Sequence, residues 1–244
     1  MKGFYRQLTE KPGKRFALLI DPDKHTEDSL RKLFRLVSTT PPDLILAGGS
    51  LLFKPIGETI RLIKSLSTIP VFIFPGNVLQ LSDQADGILF LSMISGRNPE
   101  FLIGNHVLAA PHLRASGIEV IPTGYMLIEN GHSTSVEYMS QTRPIPFGKT
   151  DIAVATAMAG EMLGLRMLYL EAGSGASHPV GIDMIRAIRE AVSLPMIVGG
   201  GIRNTEDAEK AWQAGADLLV IGTAIEGVPE KISEFAALRN RLNS

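Results

Sequence analysis

The sequence predicts a (β/α)₈ barrel, an α/β fold in which eight parallel strands alternate with helices. About eight short runs are apolar throughout instead of alternating, which is typical of parallel strands buried on both faces. Helical patterns separate most of these runs. The 244 residues suit one domain, so we expect residues 1–244 to form a single barrel. An open doubly wound sheet is the structural alternative.

The predicted strands are short, and residues that favour turns follow each of them closely. In chain order the strands are Phe16–Ile20, Leu44–Ala47, Val71–Phe74, Ile88–Leu91, Ile118–Ile121, Met167–Leu170, Met196–Val198 and Leu218–Ile221. Gly, Pro, Asp and Ser dominate the positions that follow. In a barrel these positions lie at the C-terminal mouth, where the ligand site is found, so they can be interpreted as site chemistry.

The predicted helices carry apolar residues at helical spacing. They are Thr26–Val37, Ile56–Leu66, Glu100–Ala115, Thr150–Leu163, Gly181–Val192, Thr205–Ala214 and Pro229–Leu242. In the first, Leu30, Leu33 and Val37 fall on one face. Thr26 precedes two acidic residues and is suited to cap the helix N-terminus.

Two connections depart from the regular repeat. Between Asn77 and Gly87 there is room for only one or two helical turns, so we expect the third helix to be shortened or replaced by a loop. The stretch Met126–Lys149 after the fifth strand is longer than most loops of such barrels. We interpret it as a candidate lid or binding loop.

The composition excludes several classes of protein. The 24 Lys and Arg balance 25 Asp and Glu, and a nucleic-acid-binding protein usually shows a basic excess. Without cysteine there is no disulfide framework, thiolate zinc site or cysteine nucleophile. No apolar stretch approaches the length of a membrane helix, and the first residues do not form a secretory signal. We expect a cytoplasmic protein.

Glycine clusters follow the last three strands. They are Gly173-Ser174-Gly175, Gly199-Gly200-Gly201 and Gly222 before Thr223. Glycine lets the backbone approach a ligand closely, and exposed N–H groups then face an anion. Because the loops after strands seven and eight form the usual phosphate site of such barrels, we predict a phosphate site here. Tight βα turns are the alternative explanation of each cluster.

Side chains with oxygen atoms stand at the ends of three strands. Asp21 directly follows the first strand, and Ser50 follows the second. Mg²⁺ prefers oxygen ligands and often also contacts substrate phosphates, so these two residues are a candidate cation site. Glu171 ends the sixth strand beside a predicted phosphate loop and is a candidate general base. A turn-forming role for Asp21 and an ion pair for Glu171 are the alternatives.

The chain resembles the geranylgeranylglyceryl phosphate synthase family along nearly its whole length. The motifs that carry the resemblance are Ile20–Lys24 (IDPDK), Ala47–Ser50 (AGGS), Phe74–Asn77 (FPGN), Ser92–Asn98 (SMISGRN), Pro122–Tyr125 (PTGY), Tyr169–Gly175 (YLEAGSG), Val198–Arg203 (VGGGIR) and Ile221–Thr223 (IGT). The last two occur in many phosphate-binding barrels, whereas YLEAGSG together with IDPDK and GGS is far more specific.

The resemblance implies a TIM barrel whose third helix is replaced by a loop. It implies an enzyme, a prenyltransferase, that transfers the prenyl group of geranylgeranyl diphosphate, or of another prenyl diphosphate, to the 3-hydroxyl of sn-glycerol 1-phosphate. It further implies Mg²⁺ held by Asp21 and Ser50, with Glu171 accepting the hydroxyl proton. The residues implied to bind glycerol 1-phosphate are Tyr169, Leu170, Glu171, Ala172, Gly173, Ser174, Gly175, Gly200, Gly201, Gly222 and Thr223.

One position departs from part of the family. In one branch a Lys two residues before the metal-binding Asp contacts the phosphate, and here that position is Leu19. The departure places the chain nearer the other branch (group II), whose members form homo-oligomers, dimers or hexamers. The tail of a prenyl diphosphate is very apolar, so a transient contact with a membrane is also implied. Small or apolar residues near the mouth, such as Met93, Ile94 and Met126, are candidates to line a prenyl groove.

Two other functions fit parts of the pattern. The first is another phosphate-binding barrel enzyme of the isomerase or aldolase type, but no Lys ends a buried strand to form a Schiff base. The second is a non-catalytic barrel that binds a phosphometabolite. Such a protein would need the glycine clusters but not Asp21, Ser50 and Glu171 together at the mouth.

Overall fold

The structure is a computed structural model that describes residues 3–244, and its sheet is a closed barrel of eight parallel strands. The strands are β1 (Arg15–Ile20), β2 (Leu44–Ala47), β3 (Val71–Ile73), β4 (Gly87–Ser92), β5 (Glu119–Leu127), β6 (Met167–Glu171), β7 (Met196–Gly199) and β8 (Leu218–Ile221). Each strand pairs with its neighbours in the chain, and β1 closes the ring by pairing with β8. The predicted fold class is therefore confirmed.

Helices surround the barrel, and most of them lie where the sequence predicts a helix. They are α1 (Phe4–Glu10), α2 (Glu27–Val37), α3 (Ile56–Leu66), α4 (Asn105–Ser116), α5 (Ser135–Ser140), α6 (Thr150–Met162), α7 (Ile182–Ala191), α8 (Thr205–Ala214), α9 (Thr223–Gly227) and α10 (Lys231–Asn243). Thr26 caps α2, and its hydroxyl accepts the Ser29 N–H at 3.2 Å. A π-helical turn, Glu100–Gly104, leads directly into α4. The short helices α1, α5 and α9 are not anticipated by the sequence patterns.

The connection from β3 to β4 contains no helix. Residues 74–86 cross from one strand to the next as turns and extended backbone. This confirms the expectation that the third helix is replaced by a loop.

The prediction for the fifth strand is wrong in length. β5 continues from Glu119 to Leu127, through the Pro and Gly that were expected to end it. Gly124 pairs with both Ser92 and Leu168, and a Cβ there would meet the side chains of Ile94 and Leu165 at 2.9 Å. This glycine therefore permits close packing and does not form a turn. The long loop accordingly begins after Leu127 and contains α5.

The barrel interior is closed at one end and open at the other. At the N-terminal end α1 inserts Phe4 and Leu8, and the Phe4 ring contacts Phe72 edge-on at 5.5 Å. Glu119 fixes this helix by accepting the Phe4 N–H at 2.6 Å. A second apolar layer lies between the strands and the outer helices, with Trp212 and Phe235 fully buried in it. The C-terminal mouth remains open to a ligand.

Candidate functional site

A cavity with a volume of about 350 Å³ lies at the C-terminal mouth of the barrel. Residues at the C-terminal ends of all eight strands contribute to its walls. Its wall after β6, β7 and β8 is polar and rich in glycine, whereas its wall after β3 and along α4 is apolar. The site therefore joins an anion-binding surface to an apolar groove.

The Glu171 side chain lies buried at the centre of this site. Burial raises the pKa of Glu171 to about 7, because a charged carboxylate loses hydration there. The Gly173 N–H donates to Oε1 at 2.6 Å and partly opposes that rise in pKa. A Cβ at Gly200 would approach Oε1 to 2.5 Å, so only glycine leaves room for the carboxylate. Such a carboxyl group is suited to accept a proton near neutral pH.

Two tyrosines and a phenylalanine form an aromatic wall beside Glu171. The Tyr169 ring stacks on Phe74 with centroids 5.0 Å apart and contacts Tyr125 at 5.3 Å. Burial and the nearby Glu171 charge raise the pKa of both tyrosines well above the ordinary value, so both stay protonated. The Tyr169 hydroxyl is buried and has no partner at hydrogen-bond geometry within residues 3–244. Its proximity to Glu171 nevertheless favours the charged form of that carboxylate. It points to Gly199, which lacks the side chain that would block it.

The glycine loops form a surface of backbone N–H groups. Gly200 and Gly201 have positive φ angles of 78° and 71°, and their N–H groups donate to no acceptor in the described part of the chain. Thr223 begins α9, so its N–H group has no partner within that helix. Successive free amides of this kind attract an anion. Arg203 braces the neighbouring loop by donating to the Ala176 carbonyl at 2.8 Å.

The structure brings most of the predicted substrate residues to this cavity, but not all. Tyr169, Glu171, Gly173, Ser174, Gly175, Gly200, Gly201, Gly222 and Thr223 line it. Leu170 and Ala172 do not, and both pack in the apolar layer behind the strands. The cause is the alternation of a strand, which points Tyr169 and Glu171 inward and Leu170 outward.

Asp21 and Ser50, the predicted metal ligands, both line the cavity. Asp21 Oδ1 accepts the Asp23 N–H at 3.0 Å, and Oδ2 lies 3.9 Å from Lys24 Nζ. Burial raises the pKa of Asp21. Within residues 3–244 no three acidic or histidine side chains lie together as a group that could hold a metal ion. One carboxylate and one hydroxyl nevertheless fit Mg²⁺, which commonly completes its coordination with substrate phosphates and water.

The apolar part of the cavity lies where the third helix is missing. Phe74, Val78 and Leu81 from residues 74–86 face Phe101 and Ala109 on the α4 side. Among the three residues proposed for a prenyl groove, Met93 lines the cavity. Ile94 and Met126 pack in the outer apolar layer instead, so that expectation is wrong for them.

Asn130 supports the site, although no sequence pattern indicates such a role for it. Its amide donates to the Ala172 carbonyl, which belongs to the same peptide group as the Gly173 N–H that binds Glu171. Asn130 is buried, and its Oδ1 has no hydrogen-bond partner within residues 3–244. The Asn130-Gly131 pair resembles an ordinary turn in the sequence, so only the fold reveals this contact.

A barrel with free amides after β7 and β8 and a buried carboxylate on β6 is typical of phosphate-handling TIM-barrel enzymes. The sequence profile of the PcrB family matches residues 7–239. The chain therefore belongs to the PcrB family.

Named relatives point in the same direction. The chain is 48% identical over 231 residues to a geranylgeranylglyceryl phosphate synthase of Spirosoma linguale, covering 94% of this chain and 93% of that one. It is 42% identical to the protein of the same name from Korarchaeum cryptofilum, covering 93% and 94%. The crystal structure of (S)-3-O-geranylgeranylglyceryl phosphate synthase from Thermoplasma acidophilum, in complex with its substrate sn-glycerol-1-phosphate, is similar with a TM-score of 0.93. Identity to it is 32%, with 99% of this chain and 100% of that chain covered.

Proposed function

We propose that this chain transfers a geranylgeranyl group from geranylgeranyl diphosphate to the 3-hydroxyl of sn-glycerol 1-phosphate, releasing diphosphate. The observation that carries the proposal is the buried Glu171 carboxylate, which stands between the anion-binding loops and the apolar groove. A prenyl transfer needs both surfaces and a proton acceptor where they meet. The named relatives support the same reaction.

The acceptor would bind at the glycine loops. Its phosphate would accept hydrogen bonds from the free amides of Gly200, Gly201 and Thr223. This placement directs the glycerol hydroxyl toward Glu171, whose pKa of about 7 suits a general base. Tyr169 closes the site behind it and keeps water out.

The reaction exchanges one carbon–oxygen bond for another. The hydroxyl oxygen bonds to the first carbon of the prenyl chain as the bond from that carbon to the diphosphate oxygen breaks. The hydroxyl proton passes to Glu171, and diphosphate leaves with the electron pair. A carboxylate beside the reacting carbon also stabilises the positive charge that develops there.

Asp21 and Ser50 would hold Mg²⁺ against the diphosphate. The bound ion would supply charge neutralisation for the leaving group. The half-buried Asp21 carboxylate, held in place by the Asp23 N–H, supports this assignment. The other prenyl diphosphates that we consider as donors differ only in the length of the tail that the groove must accept.

We also propose that the chain works in the cytoplasm as a homo-oligomer, a dimer or a hexamer. Val107 and Leu108 on α4 and Ile152 on α6 are exposed apolar side chains. Exposed apolar side chains that form a patch often mark a protein interface. A second copy of the chain is the partner that the resemblance favours.

Product formation tests the proposal. Labelled sn-glycerol 1-phosphate and geranylgeranyl diphosphate should give geranylgeranylglyceryl phosphate, and a chelator should stop the reaction until Mg²⁺ is restored. The enantiomer sn-glycerol 3-phosphate should react poorly. Binding of sn-glycerol 1-phosphate without turnover of any prenyl diphosphate would instead favour a non-catalytic phosphate-binding barrel.

A further inference from the structure

Three large and very exposed side chains stand around the mouth of the cavity. Phe53 is 86% exposed, Leu79 87% and Tyr138 81%. Phe53 follows β2, Leu79 lies in the loop that replaces the third helix, and Tyr138 is on α5. We call these three residues the mouth rim. Apolar side chains grouped in this way usually meet a partner.

The loops that carry Phe53 and Leu79 are held by hydrogen bonds. Gln80 Nε2 donates to the Gly49 carbonyl at 2.7 Å, and the Gly76 N–H donates to Gln80 Oε1 at 3.1 Å. Asp23 accepts the Phe53 N–H at 2.8 Å. The two loops therefore present their apolar side chains together as a defined surface.

The mouth rim continues into the cavity. Leu51, Val78 and Met139 line the cavity, and each lies one or two residues from a member of the rim. The rim residues themselves do not line it. An apolar chain could thus pass from the rim into the groove while staying in contact with apolar side chains.

We propose that the mouth rim docks on the surface of a lipid bilayer, from which the prenyl tail enters the groove. This inference rests on the proposed function, because only a very apolar substrate requires such an entry. A second copy of the chain seated on the rim would cover the entrance, whereas a bilayer would supply the substrate there. Aromatic residues such as Phe53 and Tyr138 are suited to a membrane interface.

A positive charge beside the rim supports a lipid partner. Lys54 follows Phe53, and its Nζ donates to the carbonyls of Pro22 and His25 at 3.0 Å and 2.7 Å. The Phe53 N–H and, to a lesser degree, the Lys54 charge lower the pKa of the nearby Asp23 carboxylate, so the Lys54 charge is partly balanced within the loop. A cation in this position is attracted to anionic headgroups.

A double variant, Phe53→Ser with Leu79→Ser, tests the inference. The matched control is Met162→Ser with Leu163→Ser, since these side chains are equally exposed but lie just before β6, at the opposite end of the barrel. Each protein is sedimented with vesicles of phosphatidylcholine and phosphatidylglycerol. Turnover is measured with geranylgeranyl diphosphate carried in vesicles and, separately, dispersed in detergent.

We expect the rim variant to lose vesicle binding by about tenfold or more, since each large apolar side chain changes a partition constant by roughly that factor. Its turnover from vesicles should fall in parallel, while turnover in detergent matches the wild type, and the control should behave as wild type throughout. Wild-type protein that does not bind vesicles, or equal binding by both variants, would overturn the docking inference. Vesicle binding without product in either medium would contradict the proposed function and leave the docking surface standing.

Discussion

Glu171 carries two opposing demands at the residue scale. In the proposed reaction it must be buried to lie beside an apolar prenyl chain, yet it must be charged to accept a proton. Burial raises its pKa to about 7, and the Gly173 N–H keeps the charged form accessible at neutral pH. Desolvation and the hydrogen bond from Gly173 therefore help to determine the pH above which Glu171 can accept a proton.

The pH dependence of turnover follows from this balance. Because the deprotonated carboxylate is the active form, kcat/KM should be low in acid and rise with pH, by roughly tenfold per pH unit. It should level off above the Glu171 pKa of about 7. Steady-state rates across this range check the prediction. A profile that is flat through neutrality would show that Glu171 does not accept the proton.

Asn130 also affects the pKa of Glu171, because it contacts the peptide whose N–H binds that carboxylate. Replacing it, Asn130→Ala, removes the donor to the Ala172 carbonyl and loosens the Gly173 N–H that binds Glu171. We expect kcat to fall and the acidic limb of the pH profile to move to higher pH, because the charged form of Glu171 loses support.

Asn98→Ala is the matched control for this variant. The Asn98 amide donates to the Ser140 carbonyl at 2.7 Å, so it also fixes the segment after β5, but away from Glu171. Asn98→Ala should lower thermal stability without shifting the acidic limb of the pH profile. If the two variants had the same pH profile, the role of Asn130 would be structural only.

The glycine clusters show how much about single residues can be predicted from the sequence. It correctly places them at the mouth, because strand ends are readable from apolar runs. It could not separate their roles, which depend on neighbours far away in the chain. Gly199 and Gly200 make room for the Tyr169 hydroxyl and the Glu171 carboxylate, while Gly200 and Gly201 also present free amides.

At the scale of elements, the missing third helix creates the apolar groove. Residues 74–86 form one of its walls, and α4 forms the facing wall. The sequence predicts the missing helix from the short spacing between two strands. It does not predict α5 or the full length of β5, because Pro122 and Gly124 resemble strand-ending residues although the sheet continues through them.

A larger side chain inside the apolar groove should change which prenyl donor is used best. Ala109 on α4 lines the cavity, so Ala109→Phe would shorten the space available to a prenyl tail. We expect kcat/KM with geranylgeranyl diphosphate to fall by about tenfold relative to farnesyl diphosphate. Affinity for sn-glycerol 1-phosphate should stay unchanged.

Ala110→Phe is the control for this substitution, because Ala110 lies on the same helix but is exposed. This control should have the wild-type ratio of kcat/KM for the two prenyl diphosphates. An equal loss with both donors in Ala109→Phe would mean that this part of the cavity does not hold the tail.

At the scale of the whole molecule, the barrel turns separated motifs into one site. Asp21 and Thr223 are about two hundred residues apart in the chain, yet both line one cavity because β1 and β8 are hydrogen-bonded neighbours. The count of strands and the single-domain length are enough to predict this closure. The shape of the groove and the exposed mouth rim depend on how loops pack, and no local pattern encodes that. No helix in residues 3–244 is long and apolar enough to cross a bilayer.

The central claim is that this barrel joins a prenyl chain to glycerol phosphate with Glu171 as the proton acceptor. The most direct test compares product formation by the wild type and by Glu171→Gln, together with sn-glycerol 1-phosphate binding by calorimetry. We expect the variant to lose turnover by on the order of a hundredfold or more. Binding should change little, since the amides that hold the phosphate remain. Undiminished turnover by Glu171→Gln would contradict the account.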